Sequence, residues 1–535
     1  MSPEPTPPGE RLFAGLDVST QGCKLVVIDL GGREVVHVDA LAYDRDLPAW
    51  GTRDGVIRGL PEGVSESDPR MWIEAVDTVL ERLAGSALRR DRIRSLAVSG
   101  QQHGLVALDA DGNLARPTSK LWNDFSTDEE CEILTEAVGG RAAMIAEVGN
   151  TQRPGYTASK ILHMRRHEPE AWARAATLFV VHDYINWHLT GGVRAMEPGD
   201  ASGTALWHPG TGAWSARVVA AIDPGLAAKL PEVGPTDRSL GRIAPRLAAR
   251  FGLDPACTID AGSGDNMCAA IGTGNVRPGV VTVSLGTSGT ACTVLDEPFI
   301  DPEGEIAAYR DATGRHLSLL CVSNLANGYN ELLRLHDLTH ERFAELVSTV
   351  PPGNEGRLLV PWYAGERTPD LPHAAPVTFG FDLEGLSLAP LCRAVLEGHV
   401  LNLHHGFRRM PVKAGEIRLT GGLSRSEAWC RTIADVFETE VVPVEGEGAA
   451  LGAALHAAWV WLAEHEERVP IDEVVDPFVH LDESRRTRPR TEVRETVRRQ
   501  RRLFDAVTGR LRGLEAPDPF EARVALRAVS PDRAV

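Results

Sequence analysis

Asp17 closes an apolar run and opens a turn of hydroxyl residues and glycine, LDVSTQGCK. The same pattern returns later in the chain. Phe13–Asp29 (FAGLDVSTQGCKLVVID) lies over Val281–Asp296 (VTVSLGTSGTACTVLD) at a constant offset, so that Thr20 meets Thr287, Gly22 meets Gly289 and Asp29 meets Asp296. Each copy reads as an apolar strand, a tight turn and a second apolar strand, which is a β-hairpin signature. Such turns present backbone N–H groups and hydroxyls that can wrap phosphate oxygens. At the turn itself only the first copy has a carboxylate; Ser284 stands where Asp17 does. Two phosphate-holding turns with one carboxylate suit a magnesium–nucleotide, because Mg²⁺ needs only one or two carboxylates beside phosphate oxygens and water. The plainer alternative for Asp17 alone is a turn cap.

Three further segments carry polar groups in loop-like settings. Gly262–Asn266 (GSGDN) sets Asp265 and Asn266 at the start of a small-residue helix. A carboxylate there can take a proton from an alcohol; the alternative is an N-cap. Gly100–Gly104 (GQQHG) follows the strand-like SLAVS and offers Gln102 and His103 to polyol hydroxyls; the alternative is a structural histidine. Leu121–Asp124 (LWND) sets the face of Trp122 beside Asn123 and Asp124, a combination that grips sugars by stacking and paired hydrogen bonds. A buried Trp with a helix cap explains it equally. Leu419–Ser426 (LTGGLSRS), a strand running into Gly421 and Gly422, can seat an adenine or ribose or be a plain turn.

The elements that must position these groups alternate. Strand-like runs fall at Ser95–Ser99, Leu105–Leu108, Leu178–Val181, Val280–Ser284, Ile417–Thr420 and Glu440–Pro443. Helical stretches fall at Met71–Ala84, Asp128–Val138, Pro390–Val412, Ser426–Phe437 and Ala449–Glu464. Such alternation favours α/β layers. A break near Gly272–Gly279 divides residues 12–273 from 274–470. A helical tail is expected over 471–535, and the proline-rich, acidic lead over 1–11 is expected to be disordered. There is no GxxxxGK[ST], and Met267 replaces the last glycine of a dinucleotide fingerprint.

Composition narrows the partners. The 535 residues carry 56 basic and 74 acidic side chains, a net charge of −18, which disfavours nucleic acid and anionic lipid. Small molecules are the expected partners. No apolar run is long enough for a membrane span, and the lead is not a secretory signal, so a cytoplasmic protein is expected. Eight scattered cysteines show no CxxC and are expected to be reduced and mostly buried. The Arg-rich stretch from Arg485 has an apolar stripe (Val493, Val497, Leu503, Phe504, Val507, Leu511), so a helix packed on the body is expected, with its arginines in water.

In order and spacing, DVSTQGCK, GQQHG, LWND, SGDN, SLGTSG, GERTP, LTGG and GAALGAA resemble the motifs of the FGGY carbohydrate kinases, over about Phe13 to Trp461. The resemblance implies two actin-like (ribonuclease H-like) α/β domains with an ATP/sugar cleft between them. It implies a phosphotransferase acting on an alcohol group, with ATP and Mg²⁺. GQQHG with LWND points within the family to D-xylulose, phosphorylated at its 5-hydroxyl. Asp265 is then the catalytic base. Gln102, His103, Trp122, Asn123, Arg153, Asp265 and Asn266 contact the sugar. Asp17 serves the metal. Thr20, Gln21, Gly286, Thr287 and Ser288 serve the phosphates, and Gly421 and Gly422 the adenosine end. The segment Thr157–Lys160 (TASK) resembles a further family signature, read as structural.

Two departures stand out. DVSTQG replaces a usual DxGTxS, and DLPHAAPVTFGFDLEGL follows GERTP in place of a polar, glycine-containing stretch. L-ribulose, gluconate, glycerol and fuculose therefore stay open as acceptors. A non-catalytic actin-like sugar or ATP sensor is the alternative outside catalysis. A homodimer is left open.

Overall fold

The computed structural model describes residues 9, 11–446 and 448–529. The expected lead therefore lies outside the described residues, apart from Gly9 and Arg11. By contact the chain forms two units. The first runs to Arg277 and takes in Val294–Leu317 and Gly446–His480; the second holds Pro278–Thr293, Ser318–Glu445 and the chain from Leu481.

The first unit is built on a seven-stranded sheet. Its strands are β1 (Leu12–Val18), β2 (Gly22–Asp29), β3 (Glu34–Ala42), β4 (Ile93–Gly100), β5 (Ser239–Arg242), β6 (Thr258–Asp260) and the short β7 (Ser263–Gly264). The order is β5-β6-β4-β1-β2-β3, with β7 beside β4. β1, β2 and β3 form an antiparallel meander, and β4 then β6 continue parallel to β1. This is the ribonuclease H-like arrangement. β1 is central and nearly continuous in buried apolar residues, whereas β3 at the edge is largely exposed.

Helices cover this sheet. α1 (Pro69–Ala84) starts where the Asp68 side chain accepts from Arg70 N and Pro69 takes the first helical position. It buries Met71, Trp72, Val76, Val79 and Leu80, each worth about 1.5–3 kcal/mol when taken from water. α2 (Asp128–Ala137) and α3 (Thr157–His167) pack on each other in a separate core, and α4 (Val181–Thr190) and α5 (Asp265–Gly272) lie against the sheet. The Ala-rich helix Gly448–His465 packs on β1 and on α5 almost backbone to backbone. A Cβ on Gly452 would sit 1.8 Å from Cys268 O, and one on Gly15 2.1 Å from Ala450 O. Gly452→Val would force this helix away from α5.

The second unit repeats the theme. β8 (Val280–Leu285) pairs antiparallel with β9 (Gly289–Leu295) and parallel with β10 (Glu416–Thr420), which pairs parallel with β11 (Val441–Glu445). α6 (Leu388–Phe407) and α7 (Glu427–Phe437) lie with it. α6 stops five residues short of the helix expected to reach Val412, because Met410 precedes Pro411 and such a residue avoids the helical region. At Leu178–Val181 the strand covers only Thr177–Phe179, and Val181 already begins α4.

The Arg-rich tail forms α8 (Arg494–Leu511) and buries Val497, Leu503, Phe504 and Val507. Its arginines are not simply in water: Arg498 and Arg501 pair with Glu438, and Arg490 pairs with Asp435 at 2.6 Å. All eight cysteines are free and seven are buried. Among the described residues no helix is long and apolar enough to cross a membrane.

Candidate active site

Three neighbouring strands of the first unit end side by side. Asp17 on β1 stands in register with Ser99 on β4, and Ser99 with Ser263 on β7. Ligand groups gather at such carboxyl ends in α/β sheets. Ser99 Oγ donates to Asp17 Oδ1 at 2.8 Å. One residue beyond β7 the chain turns into α5. Gly264 is the N-cap and makes no side-chain cap, so Asp265 is the first helical residue rather than the cap.

Asn266 Nδ2 donates both to Asp265 Oδ1 and to Gln102 Oε1, each at 2.9 Å. Burial, then the charges of Asp17 and Asp200, push the Asp265 carboxyl up to about 8, against the bonds from Asn266. Burial also raises Asp17, with Ser99 opposing. A proton acceptor working near neutrality needs such a value. Two repelling carboxylates, one of them at the end of a strand beside an open turn, also fit a divalent cation, which would relieve the repulsion.

The first hairpin is tied to the GQQHG loop by side chains. Thr20 Oγ1 donates to Gln101 Oε1 at 3.3 Å, Gln101 Nε2 to Ser19 O at 3.3 Å, and Trp122 Nε1 to Thr20 Oγ1 at 2.9 Å. Trp122 thus spends its polar edge on the hairpin and keeps a half-buried face. Gln102 Nε2 is a buried donor with no partner among the described residues, as expected of a group reserved for a ligand. His103 adopts a left-handed φ of 69°, and its ring meets that of Tyr156 edge-on at 4.9 Å.

Other expected groups are turned elsewhere. Asn123 Oδ1 accepts from Ser65 Oγ at 2.7 Å, and Asp124 braces the loop through Ser65 N and Ser126. Arg153 Nε reaches Thr151 Oγ1 at 3.4 Å, and its buried Nη2 has no partner among the described residues. The Gln21 side chain is exposed, and its carbonyl accepts from Tyr43 N.

In the second unit the hairpin closes more tightly. Leu285 faces Gly289 across three turn residues, whereas Val18 faces Cys23 across four, a turn held by Ser19 N to Gly22 O. Leu325 N and Ala326 N donate to Thr287 O and Gly286 O. Gly421, at φ 87°, lies against the base of this turn; a Cβ there would sit 2.6 Å from Leu285 O. Gly422 faces open space.

Sequence reasoning missed the support beneath the GSGDN turn. His182 Nε2 and Asn186 Nδ2 bond to Ala261 O, and Ser263 Oγ donates to Glu197 Oε1 at 2.8 Å. His182 Nδ1 lies 3.2 Å from both Asp183 and Asp200. Burial works against its charge, yet the two carboxylates raise its proton affinity well above the ordinary value. The polar His182, Asp183 and Asn186 inside the apolar FVVHDYINWHL were the available signal. A separate group, Glu130 with His163 and His167, is close enough to hold a metal. Arg166 already occupies that carboxylate, so it reads as an ion-pair cluster joining α3 to α2.

Comparison with known proteins agrees with this architecture. The family model described as the FGGY family of carbohydrate kinases, N-terminal domain, matches residues 12–272, and its C-terminal counterpart residues 281–461. A xylulose kinase of Haemophilus influenzae is 34% identical over 491 residues, covering 89% of this chain and 95% of that protein. A xylulose kinase of Streptomyces coelicolor is 34% identical over 461 residues, covering 85% and 89%. The solved xylulose kinase of Rhodospirillum rubrum superposes with a TM-score of 0.83 at 26% identity, covering 94% of this chain and 99% of that one. The chain therefore belongs to the FGGY family of carbohydrate kinases.

Proposed function

We propose that the protein transfers the γ-phosphoryl group of ATP to the 5-hydroxyl of D-xylulose, in the cytoplasm, with Asp265 as general base. The observation that carries this reading is the Asp265 carboxyl. It is raised to about 8 and wired through Asn266 to Gln102, whose own amide donor awaits a partner. The curated relatives named xylulose kinase supply the choice of sugar.

In this reading Gln102, His103, Asn266 and the face of Trp122 hold the sugar, with Arg153 reaching it through its unsatisfied Nη2. Asn123, bonded to Ser65, contributes by shaping the loop. Asp265 in its ionised form takes the hydroxyl proton as the sugar oxygen attacks phosphorus. The new P–O bond forms as the bond to the ADP oxygen breaks, and the electron pair leaves with ADP. Phosphoryl transfer asks mainly for positioning and charge neutralisation. Thr20 and Gln21 of the first turn, and Gly286, Thr287 and Ser288 of the second, serve the phosphates through backbone N–H groups and hydroxyls. Gly421 and Gly422 leave room for the adenosine end. Asp17, oriented by Ser99, would hold a Mg²⁺ ion, which when bound neutralises charge on the transferring phosphate.

The test is ADP release by the purified protein with MgATP and D-xylulose, L-ribulose, D-ribulose, glycerol, gluconate or L-fuculose. Turnover on D-xylulose at least about tenfold above the rest in kcat/KM is expected. Preference for another acceptor refutes the sugar assignment, and no turnover on any refutes the catalytic one.

A further inference from the structure

Lys160 is wholly buried, and burial, partly offset by Asp124, pulls its affinity for a proton down to about 7. An ammonium placed so carries a cost that an apolar side chain of the same length avoids. Its Nζ is spent on two backbone carbonyls, donating to His103 O at 2.8 Å and to Gly155 O at 2.7 Å. Both acceptors belong to segments already on the candidate site. His103 is the residue held at left-handed φ, a conformation that a non-glycine residue keeps only when its surroundings impose it. Thr157 Oγ1 donates to the same His103 carbonyl at 3.2 Å. Gly155 follows Arg153 by two residues and lies against Trp122, since a Cβ on it would come within 2.5 Å of Trp122 O.

We infer that Lys160 is a positioning residue for the sugar. By bonding His103 O and Gly155 O at once, it sets the His103 loop and the Arg153–Gly155 segment, with Trp122 behind it, at one spacing. α3 does not depend on Lys160 alone for its position. The other end of α3 is fastened independently: Arg166 pairs with Glu129 at 2.7 Å, His167 meets Glu130 at 3.0 Å and Arg165 pairs with Asp223 at 2.8 Å. The signature TASK, read from sequence as structural, thus carries a functional brace. This inference rests on the proposal that His103 and Trp122 face the sugar.

The test uses the full-length protein with Lys160→Met, which keeps most of the length and loses every donor, and Lys160→Gln, which restores one. KM for D-xylulose, KM for ATP, kcat and Tm are measured, with His103→Ala alongside. In Lys160→Met, KM for D-xylulose should rise about tenfold while KM for ATP changes less than about twofold, and Lys160→Gln should fall between it and the parent. An unchanged sugar KM in Lys160→Met, or equal rises in both KM values with a falling Tm, overturns the inference. If His103→Ala leaves the sugar KM unchanged, the reading of the site fails and the brace fails with it. A rise in His103→Ala without one in Lys160→Met rejects the brace alone. Should both Lys160 variants fail to fold, Thr157→Val takes their place. It removes the second donor to the same carbonyl and should raise sugar KM about two- to fivefold, and an unchanged value overturns the inference.

Discussion

The two hairpins share turn chemistry but are anchored differently. The first, after Asp17, has backbone bonds, from Tyr43 N to Gln21 O and from Gln101 N to Val18 O, and is held in addition by side chains: Ser99 on Asp17, and Gln101 and Trp122 on Thr20. The second, after Ser284 and Leu285, is held by backbone: Leu325 N and Ala326 N on its carbonyls, and Gly421 packed beneath it. Side-chain anchoring couples the first turn, through Trp122, to the proposed sugar side of the site. Backbone anchoring gives the second a cradle that hardly depends on which side chains line it. In the proposed reading the first copy of the repeated element serves the chemistry and the second the grip on the phosphates.

Substitutions at matching positions should break this comparison apart. Asp17→Asn removes the proposed metal ligand and should lower kcat about 10³-fold, whereas Ser284→Ala, at the equivalent place, should change it less than about threefold. Comparable losses would show that the two turns work alike. Gly421→Ala puts a Cβ into the Leu285 carbonyl at a φ that alanine resists. It should raise KM for ATP about tenfold with little change in sugar KM.

The carboxylates allow a test by pH. A folded-state value near 8 means that Asp265 keeps its proton where the unfolded chain, near 3.8, has lost it. Its contribution to stability is therefore complete below about pH 4 and is lost as pH rises through 8. Asp265→Asn lacks that loss. Its Tm relative to the parent should climb steadily between about pH 5 and pH 8, following a stability difference that grows by about 1.4 kcal/mol for each step of one in pH. A difference independent of pH would contradict the raised value. The smallest effect is expected for Trp122→Phe, which keeps an aromatic face and loses the bond to Thr20. It should raise sugar KM about threefold and leave KM for ATP nearly unchanged.

What could be read from sequence was local. The turns announced themselves by Ser, Thr and Gly between apolar runs, and the constant offset tied them together. Gly262–Gly264 before Asp265 and Asn266 announced a helix start with polar groups upon it. Register was not legible: nothing in SLAVS says that Ser99 will face Asp17 across two strands. Nor could spacing show that Asn123 and Asp124 would be spent on Ser65 and Ser126, or that the second turn would close one residue tighter. Lys160 was visible only as part of a signature, because its partners are carbonyls, and carbonyls have no residue type. The grouping of Gly446–His480 with the first unit is also non-local, resting on glycines of α5 and of the Gly448–His465 helix that match only in space.

Asp265 is proposed to accept the sugar proton. This is tested most directly by comparing the parent and Asp265→Asn in single-turnover phosphorylation of D-xylulose with MgATP, with sugar affinity measured on each protein. Sugar affinity should stay within about threefold of the parent, and the transfer rate should fall by about 10²–10⁴-fold. A variant that transfers the phosphoryl group at the parent's rate would contradict it.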